Sequence, residues 1–406
     1  MLVGRDFILH SNMSWETHRG TTIVATTVRY IAFELAKKNR VLFVNPPLPR
    51  SLQLFKRGSQ EAIKFRKILN GKEDDLQPVK DNLWVLYPKT VKESINWISN
   101  PVLNDWFTRM NDCRFAMQVR SAVKRLNFRN YIILNDNEMI NGFHFKEMLN
   151  PSVLIYLLRD NVTQVAYHAK HGKRREPLLI KKSDIVVTNS PSFADFARQF
   201  NPNSTFIGQG VDLDLYSDSG GTLRIPEELN IIPHPRIGYT GVLTTMRLDI
   251  DLITQIAEQR PLWNIVLIGP EDKGFENSRL HELQNVFFLG GKPSTQLPGY
   301  VKGFDIAINP QLINEITEVN YPLKIDEYLA MGVPVVATGT EFMTLFFSKD
   351  TYLAISKEQY ILQIETALSE DSPEKRAERK KVAGSHSWEN FVNKIYGQIE
   401  LFEEKC

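Results

Sequence analysis

Residues 320–338 read NYPLKIDEYLAMGVPVVAT, and the rest of the chain can be organised around them. Pro322 suits the first turn of a helix, and Gly332 suits its left-handed stop. The valine-rich run that follows at once has the composition of a strand buried on both faces. A helix feeding directly into such a strand is the connection of a parallel α/β sheet. Lys324 and Glu327 lie three apart and share one face near the helix start, whereas Leu323, Ile325, Tyr328 and Leu329 supply core. A cation beside free helix N–H groups can hold a diphosphate, and a carboxylate one turn further in can accept from the vicinal hydroxyls of a ribose. The alternative is a surface ion pair worth a few tenths of a kcal/mol.

The same alternation extends in both directions. Strand-type runs are expected at 7–10, 41–44, 83–87, 131–134, 153–158, 184–188 and 205–207, with the clearest helix at 24–38, where Val28, Ile31, Ala32 and Leu35 make one apolar face. After Pro233-His234-Pro235 the pattern restarts at 237–239, 264–268, 286–289, 305–308, 334–336 and 352–355. The expected fold is therefore α/β, as two doubly wound parallel-sheet domains in tandem. They are placed at 1–212 and 235–385, with a linker at 213–234. From Ser387 on, Trp388, Phe391, Val392, Ile395, Tyr396, Ile399 and Phe402 recur at helical period, so 386–406 is expected as a terminal helix packing across the domain junction.

Parallel α/β sheets bind ligands beyond the carboxyl ends of their strands. The first strand of the second series runs into Thr240-Gly241-Val242-Leu243-Thr244-Thr245-Met246-Arg247. Glycine there lets backbone N–H groups approach a phosphate, and Arg247 can neutralise it with a planar fork. A three-glycine dinucleotide fingerprint is missing, and Gly290-Gly291-Lys292 lacks the rest of a Walker loop. His168 and His171 sit among Lys170, Lys173, Arg174 and Arg175, neighbours that disfavour a bound cation.

The length of 406 residues fits two domains, and 42% hydrophobic with 24% charged residues excludes disordered, collagen-like and coiled-coil chains. Two cysteines, Cys113 and Cys406, build neither a disulfide framework nor a zinc site, which suits a reducing cytoplasm. Arg5 and Asp6 interrupt any signal-type segment, and no apolar run approaches a membrane span. The net charge of +2 hides an asymmetry: residues 1–215 hold 31 basic against 20 acidic side chains (+11), and the remainder 18 against 27 (−9). The basic half is expected to face something anionic. Basic and apolar residues alternate between Arg50 and Lys72 and again between Arg109 and Arg129, which suits helices lying on an anionic membrane surface. The same pattern also suits solvated helices with one side in the core.

The run PLKIDEYLAMGVPVVAT resembles the nucleotide-sugar signature of GT-B glycosyltransferases of the retaining family 4 type. IGYTGVLTTMRLDIDLI, WNIVLIGP, NVFFLGGKPSTQLPGYVKGFDIAINP and HSWENFVNKIYGQI agree in order and spacing. SDIVVTNSPSFADF and IGQGVDLDLY resemble the end of that family's N-terminal domain, and NRVLFVNPPL is similar to teichuronic-acid-type enzymes of bacterial surface polysaccharide pathways. The resemblance implies two Rossmann-like domains, the second for the donor. It also implies transfer of a sugar from a nucleotide-diphosphate sugar to a glycan or lipid-linked acceptor, metal-independent and retaining, with no cofactor and no nucleic acid partner. On this resemblance Glu327 is the ribose-binding glutamate, Gly241 the loop glycine, and Arg247 stands where the phosphate-binding lysine is expected. Arg247 and Lys324 are then the catalytic cations, with Thr240, Gly241, Glu318, Pro322, Leu323 and Glu327 on the donor. Three positions depart from the pattern. Val242 replaces an arginine, which Lys324 can offset. Val319 replaces the first glutamate, with Glu318 one residue off. Arg159, followed by Asp160, stands on the acceptor side in place of a histidine. A nucleotide-sugar epimerase and a non-catalytic nucleotide-sugar-binding scaffold are the alternatives.

Overall fold

The apolar runs form two parallel sheets, each with its own core, in a computed structural model. It describes residues 2–405 except 17, 20, 21, 24, 25, 56, 57, 165 and 319; of 18, 19, 22, 23, 53–55, 164 and 166 it describes the backbone alone. The chain divides into two units, Met1–Gly208 with Phe391–Cys406, and Gln209–Asn390.

The first unit is built on β1 (Asp6–Ser11), β2 (Arg40–Val44), β3 (Leu76–Lys80), β4 (Leu83–Leu86), β5 (Ile132–Asp136), β6 (Val153–Leu158), β7 (Ile185–Thr188) and β8 (Ser204–Phe206). Their order in the sheet is β8-β7-β6-β5-β1-β2-β4-β3. β1, β5 and β6 are buried along their whole length, which is why they read as continuous rather than alternating apolar runs. β3 was not expected. It pairs antiparallel with β4 at the sheet edge, and only Leu76 of its LQPVK is buried, too little apolar surface to announce a strand. Helix α1 (Thr27–Ala36) buries Val28, Ile31, Ala32 and Leu35 as the spacing predicts, but is shorter than expected; Val24 lies outside the described residues.

The two basic stretches turn out to be core-packed. Helix α2 (Gln60–Leu69) buries Ala62, Phe65 and Ile68, and helix α3 (Pro101–Arg125) buries Phe115, Ala116, Val119 and Ala122. Phe65, Ile68, Phe115 and Val119 therefore face protein, where a buried Phe or Ile gains about 1.5–3 kcal/mol, whereas Leu69 and Trp106 stay about half exposed. Several of the cations are paired: Arg50 with Glu93, Lys64 with Glu16, Lys67 with Glu73, and Arg125 with Asp74 and Asp75. Lys56 and Arg57 lie outside the described residues.

The second unit has β9 (Arg236–Thr240), β10 (Asn264–Ile268), β11 (Val286–Phe288), β12 (Ile306–Asn309), β13 (Val335–Thr338) and β14 (Tyr352–Ala354) in the order β11-β10-β9-β12-β13-β14, every pairing parallel. One face packs through Ile237, Tyr239, Ile265, Leu267, Ile306 and Ile308 on Leu252, Ile253 and Ile256 and on Ile361 and Ile364 of two covering helices, Ile250–Gln259 and Lys357–Glu370. The segment expected as a linker belongs to this unit: Tyr216, Leu229 and Ile232 are buried. The terminal helix Trp388–Glu403 starts in the second unit. Its residues from Phe391 on belong to the first, where Phe391, Val392, Ile395, Tyr396 and Ile399 are buried and Asn39 donates to Tyr396 Oη (2.7 Å).

Candidate active site

Two glycines shape the loop after β9. Gly241 has φ +137°, open to glycine and strained for other residues, and its N–H donates to Ile268 O at 2.8 Å. A Cβ on Gly269, which follows β10, would lie 1.7 Å from Gly241 O, so the two loops touch only because both residues lack side chains.

Helix α4 (Lys324–Ala330) brings the next groups. Ile325 N–H donates to Pro322 O (2.9 Å) and Glu327 N–H to Leu323 O (3.3 Å), so the turn begins at the proline, and Gly332 ends it with φ +76°. Those two first-turn N–H groups are already bonded, leaving the Lys324 ammonium as the main positive charge. A Cβ on Gly241 would lie 3.3 Å from Lys324 Cε and 3.5 Å from its Nζ, and Nζ stands 4.9 Å from the Tyr239 ring centroid. Tyr328 Oη accepts from Thr240 N–H at 2.9 Å, fixing the helix to the strand end.

Glu327 is partly buried. Desolvation pushes its carboxyl up to about 7, against the opposing pull of Lys324 and a hydrogen bond from buried Tyr216. Its neighbour Asp326 points the other way: fully buried, it bonds His386 Nδ1 (2.7 Å) and the Tyr321 hydroxyl, and burial raises its pKa too.

Arg247 lies in a turn closed by its own N–H on Thr244 O (3.1 Å). Leu312 N–H donates to Arg247 O (2.9 Å) and Asn314 Nδ2 to Met246 O (3.0 Å), so the turn lies along the chain leaving β12, the strand beside β9. Arg247 and Lys324 therefore both lie beyond the carboxyl ends of the strands. The Arg247 side chain is exposed and makes no hydrogen bond or ion pair among the described residues, and none joins it to Lys324. Glu318 closes the turn from Asn314 (N–H to O, 3.0 Å), and Val319 lies outside the described residues.

On the first unit, β1, β5 and β6 end together. Asp136, wholly buried, accepts from Ser11 Oγ (2.8 Å) and from Arg159 Nε (2.6 Å), and Arg159 also pairs with Asp160. Burial works against the Arg159 charge, but Asp136 and Asp160 more than offset it and hold the guanidinium protonated. A cation committed to two carboxylates is a fixed strut, unlike a titrating histidine. Nearby in the fold, a small cavity of about 70 Å³ opens at the ends of β1, β2 and β4, lined by Glu16, Asn45, Lys64, Phe65 and Tyr87. Glu16 binds Lys64 (2.7 Å) and accepts from Tyr87 Oη (3.2 Å). The loop 14–22 after β1 contributes Ser14 and Glu16 to it; residues 17, 20 and 21 of that loop lie outside the described residues.

Residues 234–368 match the family described as glycosyl transferases group 1. The second unit carries a group 1 glycosyl transferase domain. The chain is also 27% identical over 199 residues to TuaH of Bacillus subtilis (strain 168), whose name assigns it to teichuronic acid biosynthesis as a glycosyltransferase. That match takes in 47% of this chain and spans about half, 49%, of TuaH. Among solved structures, sucrose-phosphate synthase from Thermosynechococcus elongatus superposes with TM-score 0.66 at 14% identity, over 99% of this chain and 100% of that one. Anabaena HepE in complex with UDP-glucose superposes with TM-score 0.62 at 15% identity, over 97% and 99%. The fold is GT-B.

Within the second unit, two residues escape the sequence reading. Tyr216 reaches Glu327 from a segment read as linker. Asn309, at the end of β12, is wholly buried, with neither side-chain polar atom partnered among the described residues. Ile306 and Ile308 face the covering helices, so strand alternation turns Asn309 to the opposite face, where Thr240 meets Tyr328. An unpaired buried amide costs about 1–3 kcal/mol, and such groups persist where a ligand can satisfy them. The one available signal was a polar residue closing the apolar run IAIN. Among the described residues no group of three or more His, Cys, Asp or Glu is placed to hold a metal ion, and no helix is long and apolar enough to cross a membrane.

Proposed function

We propose that the protein transfers a sugar from a nucleotide-diphosphate sugar to a glycan or lipid-linked acceptor of a bacterial surface polysaccharide, without a metal and with retention. The observation that carries this is the Lys324 ammonium held beside the Gly241 backbone, one helical turn from the Tyr216-bonded Glu327, in a group 1 domain. Departure of a diphosphate from an oxocarbenium-like centre is helped by positive charge fixed where negative charge develops. Lys324 takes that role next to the glycine turn, and Arg247, exposed and unpaired among the described residues, swings in from the same carboxyl end of the sheet. Glu327 accepts the ribose hydroxyls. The first-unit cavity with Glu16 and Lys64 takes the acceptor, and Arg159 and Asp160 stiffen its neighbouring strand end. Binding of UDP-glucose by HepE makes UDP-sugars the first donors to try.

The test is a thermal-shift screen of UDP-, GDP- and dTDP-sugars followed by donor turnover in EDTA. A stabilising donor that is consumed only with acceptor supports transfer. Interconversion of the donor without acceptor would indicate an epimerase, and binding without turnover across acceptors a scaffold.

A further inference from the structure

We propose that the N-terminal end of α3, with the loop before it, is a docking surface for an anionic lipid bilayer. The apolar sides of α2 and α3 are spent in the core, yet one cluster at the start of α3 is left in water: Trp97 is 76% exposed, Val102 74%, Leu103 53% and Trp106 57%. Single exposed apolar residues are ordinary, but two tryptophans beside a valine and a leucine within a dozen residues form a patch. It is firmly built. Trp97 Nε1 donates to Ser94 O (2.9 Å), so the indole has no polar atom left to satisfy and its ring can enter a headgroup layer. Lys170 Nζ donates to Trp97 O (3.0 Å) and Asn96 Nδ2 to Tyr167 O (3.1 Å), tying the loop to the helix Ala166–Lys182.

Charge selects the partner. Lys170 and Lys173 are exposed on that helix, Arg109 is exposed on α3, and the acid beside them, Asp105, is paired with Arg174 (2.5 Å). An aromatic patch flanked by unneutralised cations fits a membrane interface, where tryptophan favours the headgroup level and nearby cations are drawn to anionic lipid. The position is consistent. Asp112, in the middle of α3, accepts from Gly142 N–H (2.8 Å) and bonds His144 in the loop after β5. The first turns of α3 therefore run past the strand ends, on the side where β1, β5 and β6 finish. Docking there brings the proposed acceptor cavity's end of the sheet toward the bilayer, so the purpose of the surface rests on the lipid-linked acceptor reading. Its existence does not.

The experiment is sedimentation of the full chain, without donor or acceptor, with vesicles of phosphatidylcholine alone or mixed with phosphatidylglycerol. Binding is expected to the mixed vesicles only, with a blue shift of tryptophan emission. Trp97→Ser with Trp106→Ser should cut the bound fraction at least tenfold, and Arg109→Ser with Lys173→Ser should weaken binding and its salt sensitivity, all at an unchanged Tm. If the serine variants fold poorly, Trp97→Phe with Trp106→Phe should still bind while losing quenching by brominated lipid. Absence of wild-type binding, or binding by the serine variant equal to wild type, overturns the proposal. So does a patch-dependent change of mass in light scattering, which would make the patch a contact between copies. Donor-induced thermal shifts are read separately, so loss of vesicle binding leaves the transferase reading standing.

Discussion

Glu327 and Asp326 are adjacent carboxylates raised by the same cause, burial, and used differently because helix geometry turns them apart. An unfolded Glu327 loses its proton near 4.5, whereas the folded one keeps it to about 7. Folded protein then binds more protons between those values, so stability falls as pH rises through that window and stays lower above it. Glu327→Gln removes the ionisation. Its Tm should match wild type at acid pH and equal or exceed it at about pH 8. Donor affinity should meanwhile drop about 10- to 100-fold, the worth of hydrogen bonds to a charged group. A large loss of Tm at about pH 8 would instead make the residue structural. Wild-type donor affinity should climb with pH through about 7 as the carboxylate ionises, and calorimetric titrations of the Gln variant should show no such rise. Gly269→Ala makes a sharper prediction. Its Cβ would meet the Gly241 carbonyl, backbone that cannot swing aside, so both Tm and donor binding should fall together.

At the scale of elements, α4 is a short helix of 7 residues that cannot be stable alone, and its position depends on what grips it. Tyr328 ties it to β9, while Asp326 ties it to Tyr321 ahead of it and to His386 far along the chain. Asp326→Asn should cost about 1–3 kcal/mol in urea unfolding, because it unbalances a buried hydrogen-bonded set. Donor affinity should weaken with it although Asp326 touches no donor; an Asn variant as stable as wild type would show the grip to be dispensable. The helix itself was legible: Pro322 and Gly332 bracket it, and Lys324 and Glu327 share a face at their spacing. The grip was not, since nothing near residue 326 points to 386. The basic stretches show the converse. Their charge and period allowed a membrane face or a core face, and only the packing shows which residues go where: Phe65, Phe115 and Val119 into the core, Leu69 and Trp106 left about half exposed.

At the scale of the molecule, ligand should act on one unit. Saturating donor at about a hundred times its Kd adds about 2.7 kcal/mol to the form that binds it. Hydrogen exchange should then slow at 240–248, 309–314 and 324–331, with 132–158 in the first unit unaffected. Protection confined to 132–158 would place the donor on the other sheet.

Two α/β sheets, every strand named above except β3 to within about two residues, and the glycine turn and helix that flank the candidate site were legible in the sequence. Those features are local: buried strands must be apolar, and turns and helix stops need glycine or proline. Folding alone sets what depends on partners distant in the chain: Tyr216 on Glu327, His386 on Asp326, the Asn309 amide left unpartnered among the described residues, the commitment of Arg159 to Asp136, and which aromatic residues remain in water. A side chain's charge, solvation and freedom are set by the groups folding brings around it, and composition and spacing do not encode that neighbourhood.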